Sequence, residues 1–112
     1  MKTIIIDYGS GNVESVLNAL HKVKENHTIV VSKDPAEIRS GNRFILPGVG
    51  SFADCMAGLK SVNGLIEEIR RQVLTEKKPF LGVCVGMQVL ASVGYEEGEH
   101  QGLCFINGKV EK

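Results

Sequence analysis

Short β-branched runs alternate along this chain with stretches whose apolar residues return at helical spacing. Lys2 to Asp7 reads as a buried strand, closed by the tight turn Tyr8-Gly9-Ser10-Gly11-Asn12. Val13, Val16, Leu17, Leu20 and Val23 then mark one face of a helix over residues 12–25. Thr28 to Ser32 is a second strand. Asp34-Pro35-Ala36-Glu37 opens a short helix, with Asp34 as N-cap, Pro35 at the first helical position and Glu37 placed for a capping box. Arg43 to Leu46 is a third strand, stopped by Pro47-Gly48-Val49-Gly50. Helices follow over about Ser51 to Lys60 and Asn63 to Glu76, the second with Leu65, Ile66, Ile69 and Val73 facing inward. Pro79 to Val83 is a fourth strand and Val85 to Val93 its helix. Leu103 to Ile106 and the residues from Lys109 predict a hairpin around Asn107-Gly108, a pair that favours the type I′ turn.

Strands alternating with helices specify an α/β fold: a mainly parallel sheet, three layers deep, with helices on both faces and right-handed crossovers. One domain accounts for residues 1–112. Its C-terminus reads as incomplete, because the chain stops where the hairpin's second strand should be under way. Four parallel strands and half a hairpin leave an open sheet edge, which natural proteins cover or blunt. The expectation is that this is the N-terminal portion of a longer protein.

Composition narrows the class. Of 112 residues 43% are apolar and 23% charged, which excludes disorder. Thirteen basic side chains balance thirteen acidic ones, so no field draws the chain to nucleic acid or anionic lipid. Pro79 to Tyr95, the best candidate for a membrane span, is interrupted by glycines, a proline and a glutamine and is too short. The start, Met1-Lys2-Thr3 before Ile4-Ile5-Ile6, has too short an apolar run for a signal peptide. Cys55, Cys84 and Cys104 form neither an even set nor a CxxC pair. A cytoplasmic chain with reduced thiols, and without metal or other cofactor, is expected.

The candidate chemistry centres on Gly82-Val83-Cys84-Val85-Gly86-Met87-Gln88. A Gly-x-nucleophile-x-Gly sequence between a strand and a helix is the context of a nucleophile elbow. Side chains two residues either side of such a turn would collide, hence the glycines. The turn sets Cys84 at a helix N-terminus, where the dipole favours thiolate, and leaves the Val85 N–H free to donate to an oxyanion. Glycines around a packed cysteine give the bland alternative; Cys55 and Cys104, with no such turn around them, read as packing residues. Pro47-Gly48-Val49-Gly50 also ends a strand at the edge where open α/β sheets bind ligands. If the third and fourth strands are neighbours, this loop faces Cys84 and can add a second oxyanion donor; otherwise it is a plain turn. Gln88, one helical turn after Cys84, is placed to hold a ligand over the sulfur or to serve as a buried amide. Gly9-Ser10-Gly11 lacks the third glycine of a dinucleotide loop, with Glu14 in its place.

These motifs resemble those of class I glutamine amidotransferases. The combination of the cysteine motif with Ile4-Ile5 and Asp7 to Asn12, and with Leu46-Pro47-Gly48-Val49-Gly50-Ser51-Phe52, is most similar to the glutaminase subunits of imidazole glycerol phosphate synthase, which serve histidine biosynthesis. The resemblance runs from residue 1 to 112. It implies a flavodoxin-like fold, with Cys84 as the nucleophile that attacks the glutamine side-chain amide and Val49, Gly50 and Val85 at the oxyanion hole. It further implies that Gln88 and Glu96 hold the amino-acid end of glutamine. The partner would be a (βα)8-barrel cyclase subunit, docked on the side of the Asn12 loop.

The resemblance also exposes a gap. The family completes its triad with a histidine and a glutamate two residues apart, and none of His21, His27 and His100 has a glutamate two positions on. The 112-residue chain alone is therefore expected to lack turnover. Two alternatives stand beside it: a non-catalytic module that docks a synthase, and a stand-alone flavodoxin-like cysteine hydrolase or thiol sensor.

Overall fold

Four parallel strands form the centre of the molecule in the order β2-β1-β3-β4: β1 is Lys2–Ile6, β2 Thr28–Ser32, β3 Arg43–Gly48 and β4 Phe80–Cys84. The helices are α1 (Val13–His21), α2 (Pro35–Arg39), α3 (Phe52–Lys60) and α4 (Leu65–Arg70), the last running on into a π-helical stretch over Arg71–Thr75. Three two-residue strands, β5 (Val93–Gly94), β6 (His100–Gln101) and β7 (Lys109–Val110), make a second small sheet. The computed structural model describes residues 1–9, 13–23, 28–48, 51–84, 86, 89–90, 93–94, 100–103, 105 and 109–110.

The strand order follows from handedness. The step from β1 to β2 goes one way and the steps from β2 to β3 and β3 to β4 go the other, so right-handed connections put α1 on one face and α2, α3 and α4 on the opposite one. Side-chain alternation agrees. Ile4, Ile6, Phe44 and Leu46 pack in one core with Ile38 of α2, Phe52, Cys55, Met56 and Leu59 of α3, and Leu65 and Ile69 of α4. Ile5, Ile45 and Leu81 are register partners on the other face, the side on which α1 lies. Ile4, Ile5 and Ile6 are all fully buried because β1 has a strand on each side and helices above and below.

The elements expected from the pattern are present, with informative differences. Asp34 caps α2 as expected, its Oδ1 accepting from Ala36 N at 3.0 Å. The reciprocal half of the capping box is not made: Asp34 N donates to Ser32 Oγ, and Glu37 takes Lys2 Nζ at 2.7 Å instead. A full charge on β1 outbids a backbone amide for that carboxylate. β3 does not stop at Leu46 but continues through Pro47 and Gly48, paired with Val83 and Cys84. Phe44 N donates across to Pro79 O, so alternate amides face β4, and the missing N–H of Pro47 falls on the β1 side, beyond the last β1 pair at Ile45.

α1 is shorter than its apolar pattern, and none of its residues is buried. The helix expected to reach Val93 ends before it: Val93 lies in β5, paired with Gln101 on one side and Lys109 on the other. A β-branched residue next to Gly94 suits a strand better than a helix end. The expected hairpin is also different. Lys109–Val110 runs parallel to β5, while Leu103 is buried outside any strand and donates its N–H to Val89 O at 2.7 Å. The Asn107-Gly108 turn lies outside the described residues.

Candidate functional site

β3 and β4 end together. Pro47 pairs with Val83, and Gly48 with Cys84, so Cys84 is the last residue of β4 beside the last residue of β3. Both strands are parallel, which sets the two chain exits at the same C-terminal edge of the sheet. That is the edge where open α/β folds hold ligands, because the loops leaving neighbouring strands converge there. The condition on which the two-loop site depended, adjacency of the third and fourth strands, is met.

Local packing explains why the turn after Cys84 is built on glycine. A Cβ placed on Gly86 would run into the backbone carbonyl oxygen of Leu46 and crowd the Leu46 side chain. The chain leaving β4 therefore crosses directly over β3, with helical backbone already at Gly86. Only glycine allows that approach, since the obstacle is backbone and cannot swing away. The crossing is anchored by Val89, fully buried in the core with Leu46 and Leu103.

The opposite exit is ordered by a cap. Ser51 Oγ accepts from Asp54 N at 3.0 Å and starts α3, whose N-terminus thus faces the same edge. At the neighbouring end of β1, Asp7 Oδ1 accepts from Gly9 N at 3.0 Å and Gly9 sits at φ 104°. Tyr8 leans on α3 so closely that Gly58 has no room for a side chain. Three strand ends and a helix N-terminus thus meet in one region, a setting suited to developing negative charge.

Comparison with known proteins decides the family. Residues 4–102 match the model of the family described as "Glutamine amidotransferase class-I". The chain belongs to the class I glutamine amidotransferases. It is 47% identical over 113 residues to the imidazole glycerol phosphate synthase subunit HisH of Pelagibacter ubique, covering all of this chain and 54% of that protein. The subunit of the same name from Zymomonas mobilis is 49% identical over 109 residues, which is 95% of this chain and 50% of the relative. That from Rhodospirillum rubrum is 44% identical over 115 residues, 99% of this chain and 54% of the relative. The chain spans about half the length of these curated relatives.

Within this class I amidotransferase chain, the candidate residues fall as follows. Cys84 is described in its backbone, not its side chain. Val49, Gly50, Val85, Gln88 and Glu96 lie outside the described residues, as do Cys104 and the loop at Asn12. Cys55 is a packing residue, 1% exposed, and burial pushes its thiol pKa up against the opposing hydrogen bond of Tyr8. It is thus held as an inert thiol. His21 ends α1 on the surface, away from this edge. Among the described residues no group of three His, Cys, Asp or Glu side chains could hold a metal ion, and no helix is long and apolar enough to cross a membrane.

One charged group escaped the pattern altogether. Glu68 occupies the inner face of α4, 7% exposed, where Ile66 and Val73 had been expected to share the apolar stripe. Its Oε2 accepts from Gln72 Nε2 at 2.8 Å, and its Oε1 from Arg39 Nε and NH2 at 3.0 and 2.9 Å. The Gln72 hydrogen bond and, more weakly, the Arg39 guanidinium hold the Glu68 carboxyl below its ordinary pKa in spite of burial. This network ties α2 to α4 behind the sheet and away from the strand ends. A signal was available: Glu68 and Gln72 stand four apart, as helix-face partners do.

Proposed function

We propose that this chain carries the nucleophile-bearing half of a glutaminase that supplies ammonia to imidazole glycerol phosphate synthase in the cytoplasm, for histidine biosynthesis. The observation that carries this reading is the pairing of Gly48 with Cys84 at the ligand-binding edge, together with the glycine-only crossing at Gly86. The names of relatives at 44–49% identity support the same assignment.

In this mechanism the Cys84 thiolate adds to the side-chain amide carbon of glutamine. The carbonyl oxygen takes up negative charge, stabilised by backbone N–H groups at Val49, Gly50 and Val85. The C–N bond then breaks, the nitrogen leaves as ammonia once a general acid has supplied its proton, and a glutamyl thioester remains. Water hydrolyses that thioester to glutamate and restores the thiol. Gln88 and Glu96 hold the α-amino and carboxylate end of the substrate. The ammonia passes to a (βα)8-barrel cyclase subunit docked at the Asn12 side.

The acid and base of this cycle are not among the histidines of these 112 residues, since none carries a glutamate two positions later. A positioned acid–base contributes about 10²–10⁴ in rate, and a cysteine without one can be alkylated by an electrophile but does not expel ammonia from an amide at a useful rate. The 112-residue chain should therefore bind covalently to a chloroketone analogue of glutamine at Cys84, leave Cys55 unmodified, and release no glutamate above a buffer blank. Peptide mass mapping and a coupled glutamate assay read both. Labelling at Cys55 in preference to Cys84 would remove the nucleophile assignment. Sustained turnover by the chain alone would show that the base lies within it.

A further inference from the structure

The turn that ends β1 bears on α3 through one side chain that the proposed chemistry does not use. Tyr8 follows Ile6 by two positions and packs against the same core, where it meets α3. A Cβ on Gly58 would stand 2.5 Å from Tyr8 Cδ2, so ring and helix are already in full contact. The Tyr8 hydroxyl is buried and hydrogen-bonds the thiol of Cys55, three residues before Gly58 on the same helix face. The side chain thus spans the first two turns of α3. Both supports are held. Asp7 N donates to Ser32 O at 3.1 Å and Gly9 N to Asp7 Oδ1 at 3.0 Å, which ties the backbone on either side of Tyr8. On the helix side, Phe52, Cys55, Met56 and Leu59 are buried in the core. A rigid ring between two such supports sets their separation, since a close-packed interior has no slack to absorb a change.

That separation bears on the candidate site because of a short connection. Gly48 is held in β3 beside Cys84, and Ser51 is the N-cap of α3. In sequence only Val49 and Gly50 stand between them, the two residues assigned to the oxyanion hole from the strand-three side. Two residues have little reach to spare, so a shift of α3 against β3 is passed on to their amides.

We propose that Tyr8 is a positioning residue of the glutaminase. It is a wedge that holds the start of α3 at the distance from β1 at which the Val49 and Gly50 amides meet the charge developing beside Cys84. The role rests on the glutaminase reading above and adds to it a residue from the first strand's turn. The ring carries the function and the hydroxyl does not, because the ring is what Gly58 makes room for.

Two alkylating reagents applied to the 112-residue chain separate positioning from folding. Iodoacetamide asks only for a reactive Cys84 thiolate, whereas a chloroketone analogue of glutamine also places a carbonyl where the loop amides donate. Peptide mass mapping gives each rate at Cys84, and saturation with the chloroketone separates the maximal rate from the half-saturating concentration. Tyr8→Ala should lower the maximal chloroketone rate at least about 10-fold, since a misplacement of about 1 Å can cost about 10²-fold. The half-saturating concentration and the iodoacetamide rate should not change. Tyr8→Phe keeps the ring and should keep the wild-type rates. Gly58→Ala forces ring and helix apart and should slow the chloroketone alone, yet add nothing in the Tyr8→Ala background, where its obstacle is gone. Circular dichroism checks that each variant folds; if Tyr8→Ala does not, Gly58→Ala decides by the same two rates. Equal losses with both reagents, or no loss with either, would overturn the wedge and leave Cys84 its role. A wild-type chain whose Cys84 shows no saturation with the chloroketone would instead remove the glutaminase reading, and the wedge with it.

Discussion

The two faces of the central sheet are made of similar residues and finished differently. Toward α2, α3 and α4 the row Val30, Ile4, Phe44, Phe80 is packed under helices and under Phe105. Toward α1 the neighbouring row begins and ends in exposed side chains, Val31 and Leu81. Strand composition does not distinguish the rows, since a parallel strand is apolar on both sides wherever both are destined to be covered. What distinguishes them is the supply of helices: among the described elements the direction of the chain sends α2, α3 and α4 to one face and α1 to the other. The lesson is that an apolar position records the environment a fold intends for it, and its exposure shows what the chain itself provides.

The largest expected effect separates the faces directly. Phe44→Ala removes a ring that is 1% exposed in the covered row and should cost about 3–5 kcal/mol in urea unfolding. Leu81→Ala, on the bare row of the adjacent strand, should change stability by no more than about 0.5 kcal/mol. Comparable losses at the two positions would show that both faces are sealed and would abolish the contrast. Gly86→Ala should come next, at about 3 kcal/mol, because the added methyl meets the Leu46 carbonyl and the backbone of β3 has to give way. It sharpens the comparison in another way: the damage should spread along β3 and β4 and spare β2, as amide exchange would report. A neutral Gly86→Ala would mean that the crossing over β3 is loose, and with it the rigid turn after Cys84.

How much of this could be read in the residues depends on the range of the interaction that decides each feature. Local signals served well: the Asp34 cap and the β-branched strands are set by neighbours in sequence. The steric need for Gly86 was legible, but its obstacle was not, because Leu46 is forty residues away and only strand adjacency brings it there. The fate of Glu37 went the same way. A capping box is the best local use of that carboxylate, and Lys2, distant in sequence, offers a better one. Helical spacing misled at Val93, where pairing with β6 and β7 overrides a four-residue periodicity. Of the candidate site, Cys84 and its strand partner Gly48 are observed in the backbone, whereas the residues assigned to the oxyanion hole and to substrate fall outside the described ones.

The smallest effect concerns what holds the helix layer to the covered face. Glu68, hydrogen-bonded by Gln72 and Arg39, has its pKa lowered from 4.5 on folding, and Glu37, held by Lys2 and Ser40, likewise. A carboxyl whose folded pKa lies below its unfolded one contributes stability that is full above the unfolded value and disappears as pH falls through the folded value. The chain should thus lose stability in acid from about pH 4.5 downward. Glu68 should account for more of the loss than Glu37, whose side chain is 38% exposed and screened by solvent. On the bare face Arg43 Nε donates at 2.7 Å to the hydroxyl of Thr3, an acceptor with no charge to lose. Glu68→Gln should cost about 1–2 kcal/mol at pH 7 and progressively less as the wild type is acidified, so that the two unfolding curves converge. Urea midpoints measured from pH 7 to pH 3 give the comparison. If the gap stayed constant over that interval, the carboxylate charge would not be what fastens α2 and α4 behind the sheet, and the polar tie would reduce to shape.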